Sequence, residues 1–147
     1  MAQRKAIQNR RRRRRPAPGP GPDNEPQLSP TQKRGRLGED QARTYLEDRG
    51  LVIVAQNLQS RTGEIDLVAV HHGVLVFIEV RARGSLDYGG AAASVNRQKQ
   101  RRLIRTAQFF LPRLAARYFG GATPACRFDV VSVEPSGTAW IKDAFTQ

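Results

Sequence analysis

Three acidic side chains lie in a stretch that otherwise looks half buried. Residues 63–83 read GEIDLVAVHHGVLVFIEVRAR, apolar and alternating as a β-hairpin should be. Glu64, Asp66 and Glu79 interrupt that pattern. A two-residue loop of His72 and Gly73, closed by His71 opposite Val74, sets a register. It pairs Ile65 with Val80, Leu67 with Ile78 and Ala69 with Val76 on one apolar face. The other face pairs Val70 with Leu75, Val68 with Phe77, Asp66 with Glu79 and Glu64 with Arg81. A three-residue loop would mix the two faces, and a one-residue slip moves every side chain to the wrong side. Asp66 and Glu79 are therefore expected as cross-strand neighbours at the open end of the hairpin. Like charges in that arrangement repel. Such a pair shares a proton, finds a cation or splays into water. A hard divalent cation is the productive answer: Mg²⁺ takes one or two carboxylates plus water and phosphate oxygens, and it activates water for attack on a phosphodiester. The bland alternative is a solvated hairpin end with a weak Glu64–Arg81 surface ion pair.

Elements on either side must position these acids. Residues 1–30 contain six consecutive arginines, Arg10 to Arg15, followed by a Pro/Gly stretch. They offer too little apolar surface to offset chain entropy and read as a disordered basic tail. The folded unit is read as residues 31–147. It opens with a helix whose apolar positions are Leu37, Ala42, Tyr45 and Leu46, with Gly50 as its C′ cap. LVIVAQNLQ, residues 51–59, reads as a strand ahead of the hairpin. A Gly-rich loop at 85–92 leads to a long helix over 95–119, capped by Ser94 and kinked or divided by Pro112. Its apolar positions include Val95, Leu103, Ala107, Phe110, Leu111 and Leu114. CRFDVVSVE (126–134) and TAWIKDAF (138–145) read as two further strands. The order α-β-β-β-α-β-β, hairpins plus one helical crossover, predicts an α/β sandwich: a central mixed sheet flanked by helices. Trp140, Phe109, Phe110 and Phe128 are expected in or near the core. His71 and His72 are read as turn residues, and Tyr88 either stacks on a base or packs its loop.

Charge points to the partner. The chain carries 25 Lys and Arg against 13 Asp and Glu, a net charge of +12. The first thirty residues hold eight of the basic and two of the acidic groups, so the remainder is itself at +6. Such a balance expects a polyanion, nucleic acid before a membrane surface. On the long helix Arg97, Arg101 and Arg105 recur every fourth residue, with Lys99 and Arg102 nearby. Acids are absent from residues 91–126, whereas a merely solvated face mixes signs. Phosphate contact is the favoured reading of this stripe. The arginine tail could grip phosphate without sequence preference or be a poorly constrained extension. One cysteine, Cys126, excludes an internal disulfide and a Cys-cluster metal site. No apolar run is long enough for a membrane span, and no secretory signal is recognisable, so a cytoplasmic protein is expected.

The order of the motifs resembles a known superfamily. Glu39 on a first helix, then G-E-I-D-L, a hairpin turn and F-I-E-V-R, resembles the PD-(D/E)XK nucleases, and in layout the archaeal Holliday junction resolvases. More closely, GRLGEDQARTYLEDRG, QNLQSRTGEIDLVAV, LVFIEVRAR, GGAAASVNRQKQRRL, CRFDVV and WIKDAF resemble the YraN family of uncharacterised bacterial proteins. The resemblance implies a restriction-endonuclease-like fold. It implies Asp66 and Glu79 as metal-binding acids, Glu39 as a third acid completing the shell directly or through water, and Glu64 as an auxiliary acid. Mg²⁺ or Mn²⁺ is the implied cofactor, with no small-molecule cofactor, and DNA the implied partner. A homodimer is the implied assembly, because a four-way junction offers two symmetric strands. Arg81 departs from the pattern, standing where the superfamily has lysine. Arginine stays protonated and orients phosphate, but it cannot serve as a general base. Gln98, early on the following helix, matches a position where some superfamily members place Gln or Lys beside the site. Two readings follow: a metal-dependent, structure-selective DNA endonuclease, or a non-catalytic nucleic-acid-binding module on a nuclease-like fold.

Overall fold

In the computed structural model, residues 27–82 and 95–146 are described. The observed order is α1 (Pro30–Glu47), β1 (Val52–Ser60), β2 (Gly63–His71), β3 (Val74–Ala82), α2 (Arg97–Tyr118), β4 (Cys126–Glu134) and β5 (Gly137–Phe145). The strands form one mixed sheet in the order β1-β2-β3-β4-β5. Only β3 and β4 are parallel, joined by the α2 crossover; the other neighbours are antiparallel. The expected α/β architecture is thus present, with one helix against each face of the sheet. No described helix is long and apolar enough to cross a membrane. The polyarginine segment and the 85–92 loop with Tyr88 lie outside the described residues.

Local sequence explains the helix ends. Ser29 caps α1 with a reciprocal capping box to Gln32, and Pro30 occupies the first turn, where its missing N–H is harmless. Gly50 is left-handed (φ 88°), but it follows the C-cap Asp48 by two residues rather than one. Asn96, not Ser94, caps α2: its side chain accepts from the Lys99 amide at 2.9 Å. Pro112 does not divide α2, which runs unbroken from Arg97 to Tyr118.

Two cores form. On the α2 face Leu103, Ala107, Phe110 and Leu114 pack on Val68, Leu75, Phe77, Phe128 and Val130. On the α1 face Ala42 and Leu46 pack on Leu67, Ala69, Val76, Ile78 and Val131. Two expected core residues are exposed. Leu37 is 59% exposed, and Gly38 is buried in its place, because α1 approaches β3 so closely that a Cβ on Gly38 would lie 2.4 Å from the Ala82 Cβ. Phe109 is 68% exposed, resting edge-on against Phe110. Trp140 is partly buried and packs on the α1-side core.

The hairpin takes the expected register from His71–Val74 as far as Leu67–Ile78. His72 (φ 50°) and Gly73 (φ 76°) are both left-handed, as a two-residue turn of type I′ requires. Beyond Ile78 the pairing stops. Asp66 and Glu79 are not ladder partners, nor are Ile65 and Val80 or Glu64 and Arg81. Ile65 does not share a face with Leu67 and Ala69 either; it lies in the α2-side core with Val68. β2 therefore changes phase between Ile65 and Val68, at Asp66.

Candidate metal and nucleic-acid site

The carboxylates gather where β2 and β3 part. Val80 donates its backbone N–H to Asp66 Oδ2 at 2.7 Å, so the side chain replaces a ladder bond that the diverging strands no longer make. Glu79 is only 5% exposed. Its Oε1 is ion-paired with Lys99 Nζ and lies 3.9 Å from Arg81 Nη1. Asp66 and Glu79 still repel. Burial first, and the Glu79 charge second, raise the Asp66 carboxyl to about 8, against the lowering effect of the Val80 hydrogen bond. Without a cation, burial and mutual repulsion therefore favour a proton on this pair of acids.

Two clefts meet at this point. One is lined by Gly63, Glu64, Asn96, Gln98 and Arg102, the other by Gly35, Glu39, Val80 and Arg81; Asp66, Glu79 and Lys99 line both. Glu39 is brought in by α1 through the Gly38–Ala82 contact. Its carboxyl is raised chiefly by burial and further by Glu64 and Asp40, while the nearby Asn57 side chain and the charge of Arg36 lower it. The start of β2 is tied to α2 by hydroxyls: Thr62 Oγ1 meets the fully buried Thr106 Oγ1 at 2.9 Å and Ser60 Oγ at 2.8 Å. Gly63 leaves room for that contact, since a Cβ there would press on Thr106 Oγ1 at 3.3 Å.

The structure sorts the sequence-derived residues into two groups. Asp66, Glu79, Glu39, Glu64, Arg81, Gln98, Lys99 and Arg102 line the joined clefts. Arg97, Arg101 and Arg105 lie exposed along α2. Lys99, read from its helix position as a phosphate contact, instead reaches the Glu79 carboxylate. It puts a primary amine beside the acids even though Arg81 holds the β3 position.

Asn57 went unrecognised as part of this site, because an Asn in a run of strand residues carries no chemical signal. Asp129 was also read merely as a strand residue. It is 1% exposed, bound bidentately by Arg127 (2.8 and 2.9 Å) and held by Trp140 Nε1 (2.9 Å) and the Asp143 amide (2.9 Å). Arg127 also reaches His71 Nδ1 at 3.3 Å, so His71 is a buried member of this network rather than a bare turn residue. Cys126 is partly buried, and burial raises its thiol, which disfavours the thiolate needed for nucleophilic work.

Among the described residues, no three His, Cys, Asp or Glu side chains converge tightly enough to cage a metal ion. The donor set instead suits an ion that keeps much of its water. Asp66 and Glu79 offer two hard oxygen donors in a cleft open to solvent, with Glu39 in reach as an outer acid.

A small α/β protein with a carboxylate cleft at the split end of its central hairpin is thereby defined. The chain belongs to the uncharacterised protein family UPF0102, whose model matches residues 38–133. It is 52% identical to the UPF0102 protein of Bordetella petrii over 121 residues, covering 82% of this chain and 75% of that one. It is 48% identical to the UPF0102 protein YraN of Escherichia coli O8 (82% and 89%), and 42% identical to the UPF0102 protein of Psychromonas ingrahamii (82% and 95%).

Proposed function

We propose that this protein is a Mg²⁺- or Mn²⁺-dependent, structure-selective DNA endonuclease. The observation that carries the reading is the Asp66–Glu79 pair: two buried or partly buried acids held together at a solvent-open cleft, with Lys99 and Arg81 beside them and a basic helix along the rim. Natural folds rarely keep such a repulsive pair without a use for it.

The chain's own groups divide the work. Asp66, Glu79 and, at the periphery, Glu39 would hold the divalent ion, which when bound polarises the scissile phosphate and lowers the pKa of attacking water. Arg81 orients a non-bridging phosphate oxygen and stabilises charge developing on it. Lys99, ion-paired with Glu79, would be the amine beside the attacking water. Water would add to phosphorus and lose a proton to solvent as one P–O ester bond breaks, and the departing oxygen would take a proton from solvent to leave as a hydroxyl. Arg97, Arg101, Arg102 and Arg105 supply backbone contacts that hold DNA without reading its sequence.

A second reading has its own observation. With arginine in the β3 position and Lys99 closed over Glu79, the site resembles a nuclease fold that kept its binding surface and lost its chemistry. One experiment separates the two. The full chain is incubated with labelled four-way junction, flap and linear duplex DNA in Mg²⁺, Mn²⁺ or chelator, beside Asp66→Asn and Lys99→Met. Metal-dependent cuts that vanish in Asp66→Asn establish the endonuclease. Retarded but intact DNA, equal in wild type and variant, establishes the binding module. DNA binding insensitive to salt would sink both readings.

A further inference from the structure

Asn57 sits in the middle of β1 with a left-handed backbone, φ 51°. That conformation is uncommon for a residue with a side chain and rare inside a strand. The flanking pairs keep one register, Gln56 with Leu67 and Leu58 with Ile65, and the bulge of β1 lies further back, between Ile53 and Ala55. Asn57 and Asp66 fall opposite each other between those two pairs.

Both strands change phase at this level. Ala55 and Leu58, three residues apart, both pack on the α2-side core, as do Ile65 and Val68. In an unbroken strand residues three apart face opposite sides. A single left-handed residue gives β1 the half-turn it needs to stay paired with β2 through the switch. The same switch frees Asp66 from both cores, and its carboxylate takes up the Val80 N–H across the gap to β3.

We infer that Asn57 is the positioning residue of the carboxylate site. Its left-handed backbone turns Asp66 into the cleft. The inference deepens the reading of the cleft as a metal site, yet the placement of Asp66 stands without a metal. Asparagine suits the task because it tolerates the left-handed region better than most residues that carry a side chain.

The test uses the full chain with two substitutions and two measurements. Asn57→Gly accepts the left-handed backbone and lacks the amide; Asn57→Val lacks the amide and resists the conformation. Hydrogen exchange of the Val80 amide, read by NMR without metal, reports whether Asp66 is in place. Mn²⁺ affinity, read by calorimetry, reports whether the placement of Asp66 matters to a bound cation. In Asn57→Gly, Val80 protection, melting temperature and Mn²⁺ affinity should all stay near wild type. In Asn57→Val, Val80 exchange should accelerate about tenfold or more and Mn²⁺ affinity should fall about tenfold. Val80 protection at the wild-type level in a folded Asn57→Val overturns the role of the backbone, and if that variant does not fold, lost protection in Asn57→Gly overturns it instead. A wild type that binds no Mn²⁺ overturns the metal reading, while Val80 exchange still decides the placement of Asp66.

Discussion

Two aspartates in this sheet do the same local job in opposite electrostatic settings. Asp66 accepts the Val80 amide beside a switch in strand phase; Asp129 accepts the Asp143 amide beside the bulge that interrupts β4–β5 pairing. Asp143 there is left-handed at φ 50°, as Asn57 is opposite Asp66. Asp129 is compensated on both oxygens by Arg127, and Trp140 completes the set. Asp66 has one amide and three neighbouring acids, Glu79, Glu39 and Glu64, and its carboxyl is driven up to about 8 by burial and then by Glu79. A compensated buried charge is structure. An acid crowded by other acids beside a solvent-open cleft is what the proposed metal site rests on.

Removing compensation from Asp129 should have the largest effect. Arg127→Ala leaves a buried carboxylate without its cation and is expected to destabilise the fold by about 3–5 kcal/mol in denaturant titration. A loss below about 1 kcal/mol would mean that the two aspartates differ less than their partners indicate.

Next comes the approach of α1 to the open end of the hairpin. Gly38→Ala puts a methyl group 2.4 Å from the Ala82 Cβ, so α1 must shift. About 1–3 kcal/mol of destabilisation is expected. Because Glu39 is the next residue, divalent-cation affinity should fall as well, and a variant with wild-type stability would show that the helix relaxes freely.

The smallest effect has the opposite sign. Asp66 binds its proton more tightly folded than unfolded, so between its ordinary carboxylate value and about 8 the folded state carries the extra proton. The contribution of Asp66 to stability is therefore full at low pH and lost as pH rises toward and through about 8. Asp66→Asn keeps an acceptor for Val80 and removes the charge. Without divalent cation at pH 8.5 it should be more stable than wild type by about 1–2 kcal/mol, and the difference should shrink on acidification. Asp129→Asn should instead lose stability at every pH in that range, because it breaks the bidentate pair with Arg127. If both variants behaved alike, the contrast between the two regions would collapse.

Much of this was legible in residue order. Alternating apolar residues ending in His-Gly specify a hairpin and its register, because period two leaves one face to bury and the left-handed turn admits few residues. The six-residue difference between charge types in the 31–147 region, with no acid in 91–126, marks α2 as a basic rim. The approach of Asp66 to Glu79 follows from the same register arithmetic, although they meet across a gap in the ladder rather than as ladder partners.

What the chain order could not disclose depends on backbone and helix geometry. The place where β2 and β3 part is set by a phase switch that needs one left-handed residue on the neighbouring strand, and nothing in the letters of β1 marks Asn57 for it. Lys99 reaches Glu79 only because Asn96 starts α2 at Arg97, which sets the angle at which the third helical residue faces the sheet. Arg127, Trp140 and Asp143 converge on Asp129 only once β4 and β5 lie side by side with a bulge between them. Sequence period determined which residues are buried, through the hydrophobic effect acting on every second or fourth side chain. Tertiary structure alone decided which acid is paired with a cation and which is crowded by other acids, because that choice depends on charges brought together from strands and helices far apart in the chain.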